Sequence, residues 1–184
     1  VAMKAEEALR ESGNGSPHRT AKLRLFGSKK EPRVIYYRDS AIWCVYCQKV
    51  SCLLEEKKIP HRIELINMRS YGTKPSEFLS KVPGGLLPAI ELDGQLYTES
   101  LDIMALLDNE FKGRDHRSVL PEPETPEFEE ARQLLAMERT LFRSWCDFVF
   151  RGSFGSKKAF ERDLRAVDKA LEAGGPEKPF FFGA

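Results

Sequence analysis

Two cysteines separated by two residues form the clearest chemical pattern in the chain. Cys44 and Cys47 follow a β-branched and aromatic run and open a stretch with helical spacing. A thiol at the start of a helix lies near unpaired backbone N–H groups and the positive end of the helix dipole, and both stabilise its anion. Up to about 2 kcal/mol is available there, which brings an ordinary thiol pKa of about 8.5 down to about 7. The pattern predicts a thiol–disulfide site with Cys44 as nucleophile and Cys47 able to resolve a mixed disulfide.

A purely structural role competes with this prediction, because free cysteines often serve as small buried apolar side chains. We expect that role for Cys52 and Cys146, which lie among apolar neighbours on predicted helices. Four cysteines in 184 residues are too few for a disulfide scaffold, so a reducing compartment suits the thiols better. His18, His61 and His116 have no zinc-like spacing to the cysteines, and we predict no metal site.

Length and charge exclude several classes of protein. The 184 residues can hold one full domain and part of another, or a single large one. With 29 basic and 28 acidic residues the formal charge is +1, so the overall charge gives no case for nucleic acid or a membrane surface. No apolar run reaches the length of a membrane span and no secretory signal opens the chain, so we expect a soluble protein.

The elements that must position the cysteines follow a strand, helix, strand order. Arg33–Arg38 is β-branched and aromatic, which predicts a strand. Cys44–Lys58 has helical spacing of apolar residues and ends before Pro60, and His61–Ile66 alternates as a second strand. Such a unit is a parallel crossover.

Shorter elements complete this half of the chain. Lys74–Leu79 can form a short helical turn. Two antiparallel strands, Ala89–Leu92 and Gln95–Tyr97, flank Asp93-Gly94, a strong hairpin signal. Ser100 can cap a following helix. The predicted order is therefore β-α-β-α-β-β-α.

This order and three motifs resemble the thioredoxin fold as glutathione transferases and glutaredoxins build it. Cys44–Cys47 is similar to the glutaredoxin active site, Leu87–Pro88 to the loop with a cis proline, and Glu99–Ser100 to the pair that holds the γ-glutamyl group in the transferases. The resemblance covers roughly residues 33–111. It implies an α/β thioredoxin-like N-terminal domain with a mixed four-stranded sheet, followed by a partial all-α transferase domain. Because the pattern is particularly similar to plant and algal proteins that are often plastid-targeted, it implies a chloroplast location, stromal or peripheral to thylakoid complexes; otherwise we expect a cytoplasmic one.

The resemblance also implies a cofactor and its contacts. Glutathione would pair its cysteinyl backbone with Leu87–Pro88 and place its γ-glutamyl group at Glu99–Ser100. By position Lys74 resembles the lysine that reaches the glycyl carboxylate, and Tyr46 and Trp43 can wall the site. The competing roles are an ordinary surface lysine and ordinary aromatic packing against the sheet. Val45 stands where the glutaredoxin pattern has proline, which frees the first helical turn and restores an N–H.

The rest of the chain suggests three further segments. Residues 1–32 form a basic, partly flexible arm in which Leu23–Phe26 can be a short strand. After a domain at 33–112, a breaker-rich linker spans 113–125, and helical spacing indicates a partial helical domain at 126–184. The family pattern would continue beyond Phe180–Gly183 into further helices. Either the sequence is truncated or the second domain is incomplete, and in the second case we expect the apolar helix faces to need a partner.

Two main functions and one minor function fit the sequence. The first is a glutathione-dependent thiol–disulfide oxidoreductase or cysteine-type transferase acting on a disulfide or glutathionylated substrate, for example by deglutathionylation or dehydroascorbate reduction. The second is a non-catalytic structural or redox-sensing subunit of a larger complex, with a protein partner covering the helical domain or docking the arm. The third is an iron–sulfur cluster bound between two subunits by Cys44 and glutathione.

Overall fold

The computed structural model of the chain describes residues 2–113 and 116–173. The chain divides into two compact units, Val1–Val119 and Leu120–Ala184. The predicted continuation past Phe180–Gly183 lies outside the described residues. Within the described ranges, no helix is both long and apolar enough to span a bilayer.

The first unit is a five-stranded mixed sheet with helices on both faces. Its strands have the order β1-β3-β2-β4-β5, and only β2 and β3 are parallel. The elements are α1 (Ala2–Glu11), β1 (Leu23–Arg24), β2 (Val34–Asp39), α2 (Val45–Glu56), β3 (His61–Ile66), α3 (Ser76–Lys81), β4 (Ala89–Leu92), β5 (Gln95–Thr98) and α4 (Ser100–Glu110). The predicted thioredoxin-like fold class is confirmed.

Alternation along β2 divides the core between the two faces of the sheet. Val34 and Tyr36 point into a cluster that α2 and α4 cover. Tyr37 points the other way, towards Phe78 of α3. The hairpin between β4 and β5 turns at Asp93–Gly94, where both residues have positive φ, 52° and 84°. This is the conformation that a two-residue type I′ turn requires.

The sheet has one strand more than the four predicted for the domain, because the short strand considered for Leu23–Phe26 is present at Leu23–Arg24. Leu23 and Arg24 pair antiparallel with β3. The Arg24 guanidinium makes two hydrogen bonds of 2.7 Å to the Glu55 carboxylate on α2. Ala21 just before the strand is buried. Part of the 1–32 segment therefore packs on the domain, because an ion pair and a short ladder hold it there.

The second unit contains two long helices, α5 (Pro126–Cys146) and α6 (Ser156–Glu172), and a π-helical segment, Asp147–Arg151, after α5. The Thr125 hydroxyl caps α5 by accepting the Phe128 N–H at 3.2 Å. Large aromatic side chains remain in solvent here, notably Phe150 at 72% exposure.

Candidate active site

Cys44 is the N-cap residue of α2. Its backbone is extended, with φ −72° and ψ 108°, and its Sγ accepts the Cys47 N–H at 3.3 Å. Cys44 is half-buried, whereas Cys47 is only 2% exposed. The sulfur of Cys44 thus faces the first turn of the helix, where unpaired N–H groups are concentrated.

The pKa values of the two thiols are shifted in opposite directions. A hydrogen bond from the Cys47 side chain, together with the N–H groups of Cys47 and Tyr46, outweighs burial and lowers the pKa of Cys44 to about 6. The same side-chain hydrogen bond, together with burial, raises the pKa of Cys47 well above its ordinary range. At neutral pH Cys44 is therefore mostly a thiolate and Cys47 a thiol.

Asp39 binds the loop that leads to Cys44 through three hydrogen bonds. Its carboxylate lies at the end of β2 and is fully buried. Oδ2 accepts the N–H of Trp43 at 2.6 Å and of Cys44 at 3.0 Å, and Oδ1 accepts the Ala41 N–H at 3.1 Å. Asp39, which directly follows the predicted strand Arg33–Arg38, was not singled out from the sequence. The available signal was an aspartate directly after a strand, a residue type that often binds backbone N–H groups a few positions ahead.

The Leu87–Pro88 segment lies next to the nucleophile. Its peptide bond is cis, and the Leu87 carbonyl oxygen is 3.8 Å from the Cys44 Sγ. Tyr37 pairs with Ala89 in the antiparallel β2–β4 register. Continued by two residues, that register brings Leu87 level with Asp39. Asp39, Cys44 and Leu87 therefore meet at one edge of the sheet, namely the edge formed by the C-terminal end of β2 and the N-terminal end of β4.

The Glu99–Ser100 pair reaches the same edge through the hairpin. Ala89 pairs with Thr98, so Glu99 lies level with Pro88. Glu99 is exposed and has φ 66° and ψ 115°, a positive φ that is uncommon for a residue with a side chain. The expectation that Ser100 caps α4 is wrong: Ser100 is the first helical residue and is buried, and Glu99 is the N-cap residue without a side-chain capping bond.

Lys74 also lies close to this edge. A Cβ atom placed on Gly85 would lie 3.2 Å from the Lys74 Cδ, so Gly85 leaves room for the lysine stem. Desolvation and Arg69 lower the pKa of Lys74, while Cys47, Asp39 and Cys44 act in the opposite direction. Its ammonium group therefore lies within electrostatic range of the thiolate.

The two aromatic residues expected to wall the site, Tyr46 and Trp43, make different contacts. The ammonium of Lys49 lies 5.9 Å from the ring centroid of Tyr46. The more prominent ring is Trp43, which is 73% exposed and makes an edge contact with Tyr71 at 5.8 Å between centroids.

Of the two cysteines expected in the core, Cys52 is exposed and Cys146 is half-buried. The expectation for Cys52 is wrong, because the buried stripe of α2 consists of Cys47, Val50, Leu53 and Leu54. In the part of the chain that the structure describes, no group of three or more His, Cys, Asp or Glu side chains can hold a metal ion.

The first unit has a thioredoxin-like fold, and part of it is similar to a known domain family. Residues 43–110 match the family model described as the glutathione S-transferase N-terminal domain. The resemblance predicted from the sequence is confirmed.

Relatives and solved structures agree with this placement. Glutathione S-transferase DHAR2 of Arabidopsis thaliana is 31% identical over 134 residues, which are 70% of this chain and 54% of that protein. Glutathione transferase Omega 3C from Trametes versicolor has a TM-score of 0.69 at 22% identity, covering 100% of this chain and 67% of its own. A glutathione transferase homologue from Burkholderia, determined with bound glutathione, has a TM-score of 0.59 at 21% identity, covering 84% and 73%. The chain thus spans about half the length of the Arabidopsis relative.

Proposed function

We propose that the protein is a glutathione-dependent thiol–disulfide oxidoreductase or cysteine-type transferase with Cys44 as its nucleophile. The observation that carries this proposal is the position of the Cys44 Sγ, which accepts the Cys47 N–H at 3.3 Å and lies 3.8 Å from the Leu87 carbonyl. A thiolate stabilised at a helix N-terminus attacks a disulfide sulfur faster at neutral pH than an ordinary thiol.

The reaction begins with attack by the Cys44 thiolate on a glutathionylated sulfur. A disulfide forms between Cys44 and the glutathione sulfur, the original sulfur–sulfur bond breaks, and the substrate thiolate leaves and takes a proton from water. A second thiolate must then attack the Cys44 mixed disulfide to regenerate the enzyme.

A second glutathione fits this last step better than Cys47. Cys47 is almost fully buried, and burial keeps its pKa raised even when the Cys44 thiolate is consumed. We assign Cys47 mainly to hydrogen bonding with the Cys44 thiolate. Cys44 then returns as a thiolate, and oxidised glutathione is released.

The edge described above suits glutathione as the reducing substrate. The peptide can extend the sheet along Leu87–Pro88, where an added strand finds backbone partners. Glu99 lies level with Pro88 in the hairpin register and can accept the γ-glutamyl ammonium, and the N-terminus of α4 at Ser100 favours the α-carboxylate. Lys74 is the cation assigned to the glycyl carboxylate.

The test is glutathione-dependent reduction of hydroxyethyl disulfide and of dehydroascorbate by the full chain. We expect activity that falls by at least about 100-fold in Cys44→Ser, because the serine hydroxyl is not ionised at neutral pH. Cys52→Ser is the matched control, since Cys52 is an exposed thiol on the same helix. Activity that survives in Cys44→Ser, or its absence from the folded wild type, would contradict the proposal.

A non-catalytic subunit role is the second candidate. The exposed Phe150 and Phe154, at 72% and 109% of their reference areas, favour a protein partner on the second unit. Co-migration of the native protein with a large complex, combined with inactivity of the folded chain, would support this role.

The similarity to plastid-targeted proteins supports a chloroplast location, which a fluorescent fusion of the native protein tests.

A further inference from the structure

A cavity lined by apolar surface and by several charged and polar side chains lies behind the active-site helix, in the first unit. Its volume is about 210 Å³, and residues of the N-terminal segment, including Ala21, close it against α2 and the sheet. The polar side chains that line it include Arg24, Arg38, Tyr36, Ser51, Glu55 and His61, together with His18 and Gln48. Tyr36 and Arg38 of β2 line the cavity. Because neighbouring strand residues point to opposite faces, the cavity and the Asp39 side chain lie on opposite sides of β2.

Arg38 contributes a buried positive charge to this cavity. The residue is 5% exposed. Its guanidinium donates to two backbone carbonyls, Asp39 O at 2.8 Å and Arg19 O at 2.6 Å. No carboxylate among the described residues forms an ion pair with it.

Two carboxylates, those of Glu55 and Asp39, lie near this charge, and neither forms a hydrogen bond with it. The Glu55 carboxylate is occupied by Arg24 through two hydrogen bonds of 2.7 Å. Among the residues that line the cavity, Arg24 and Arg38 together therefore exceed Glu55 by one positive charge. The Asp39 carboxylate acts to raise the pKa of Arg38, but it lies on the other face of β2 and its oxygens accept three backbone N–H groups. Buried charges in proteins are normally paired, since desolvation of an isolated ion is costly.

His61, Tyr36 and Ser51 are neutral hydrogen-bonding groups of the cavity. His61 places Nδ1 2.8 Å from the Ile59 carbonyl, which can only accept, so Nδ1 carries the proton. Burial lowers the pKa of His61 to about 4, so the ring is uncharged at pH 7. The Tyr36 hydroxyl donates to Cys47 O at 2.6 Å and lies 3.0 Å from the Ser51 Oγ. None of these groups supplies negative charge.

We propose that this cavity binds a small oxyanion against the Arg38 guanidinium. The anion would supply a counter-charge in direct hydrogen-bonding contact with the guanidinium. The volume of about 210 Å³ lies below the range of about 300–1,000 Å³ typical of sites for larger organic ligands, which favours an ion of phosphate or sulfate size. This site is separate from the proposed glutathione site and does not depend on it.

The first test is isothermal titration of inorganic phosphate into the full chain, at constant ionic strength maintained with chloride. We expect saturable binding of one phosphate that Arg38→Gln weakens about tenfold or more, because a charge-assisted hydrogen bond is lost. The control is Arg62→Gln. Arg62 lies on β3, next to β2, and its exposed side chain pairs with Glu31, so phosphate binding should be unchanged. Equal binding by wild type and a folded Arg38→Gln protein would overturn the proposal.

A second measurement needs no variant at Arg38. Crystals of the wild type grown with selenate should show an anomalous selenium peak beside the Arg38 guanidinium, inside the cavity. Parallel titrations with sulfate and formate distinguish a tetrahedral oxyanion from a carboxylate as the preferred ligand. No saturable binding of phosphate, sulfate or formate, together with no selenium peak in the cavity, overturns the proposal.

Discussion

The carboxylate of Asp39 accepts the backbone N–H of Cys44 at 3.0 Å, and through this bond the end of β2 sets the position of the nucleophile. The bond is buried, because Asp39 has no exposed surface. Its negative charge opposes the Cys44 thiolate, as it raises the pKa of that thiol. The site therefore keeps an electrostatically unfavourable carboxylate, which indicates that its contribution is to hold the loop.

Asp39→Asn separates these two effects. The asparagine amide group would face a backbone N–H in place of a carboxylate oxygen, so we expect unfolding to become easier by about 1–3 kcal/mol. Loss of the charge should leave the pKa of Cys44 unchanged or lower. Denaturant unfolding and pH-dependent alkylation measure the two quantities. In the control Asp93→Asn, an exposed ion pair with Arg33 is lost, and the cost should stay below about 1 kcal/mol; equal costs for both variants would contradict a structural role for Asp39.

The hydrogen bond from Cys47 is the largest cause of the lowered Cys44 pKa. We therefore expect the rate of Cys44 alkylation by iodoacetamide to rise with pH through a midpoint near 6 in the wild type. Cys47→Ala removes the donor and should move the midpoint towards the ordinary thiol value of about 8.5. Cys47→Ser keeps a hydroxyl donor and should move it less. Equal midpoints in wild type and Cys47→Ala would exclude this hydrogen bond as the cause.

The nucleophile and the fold could be predicted because their signals are local. A helix start at Cys44 follows from the adjacent strand and the apolar spacing, and the Asp93–Gly94 turn fixes the hairpin. The position of Cys52 was also predictable. Helical residues rotate by about 100° each, so Cys52 lies about 200° from the buried Val50 and points away from the core.

The remaining features depend on contacts between distant residues. The two-residue strand β1 is held by Arg24 and Glu55, which are 31 positions apart. Sequence periodicity has no signal for such a pair, nor for the buried Arg38, whose partners are backbone carbonyls. From sequence alone, a polar residue in a strand is predicted to be exposed, because the distant segment that covers it cannot be identified.

Val45→Pro restores the proline that the glutaredoxin pattern has at this position. Val45 is the first residue of α2, where the N–H has no intrahelical partner and proline is favoured. The preceding Cys44 has extended backbone angles that a following proline permits. We expect a gain of about 0.4–1 kcal/mol in unfolding free energy and an unchanged Cys44 pKa, since the N–H groups facing its sulfur belong to Tyr46 and Cys47. A higher Cys44 pKa in the alkylation profile would instead show that the Val45 N–H stabilises the thiolate.

His61 should make the fold sensitive to acid. Its folded pKa is about 4, below the value of about 6.5 expected in an unfolded chain. Between these values the unfolded state binds a proton that the folded state does not, so the free energy of unfolding falls as pH decreases from about 6.5 to about 4. The effect is on the order of 3 kcal/mol and is absent above pH 6.5.

The comparison is between wild type and His61→Gln, in buffers without phosphate. The groups facing the ring, Glu55, Arg24 and Arg38, remain in both proteins. His61→Gln should have a flatter pH profile of unfolding free energy. Superimposable profiles would show that His61 is not the titrating group.

Lys57 and Asp108 form an ion pair within the first unit, 2.6 Å apart, with side-chain exposures of 0% and 4%. The pair also binds the segment that follows α4, because the lysine donates to Arg117 O at 2.7 Å and the aspartate accepts the Val119 N–H at 3.0 Å. Asp108→Asn leaves a buried ammonium without its counter-charge, so we expect a loss of about 3–5 kcal/mol in denaturant unfolding. Arg117→Gln breaks the exposed pair with Glu56, where the exposures are 80% and 59%, and should cost less than about 1 kcal/mol. Comparable losses in the two variants would mean that burial does not decide how much each pair contributes to stability. A large loss confined to Asp108→Asn would identify Lys57–Asp108 as the contact that holds residues 117–119 against the domain.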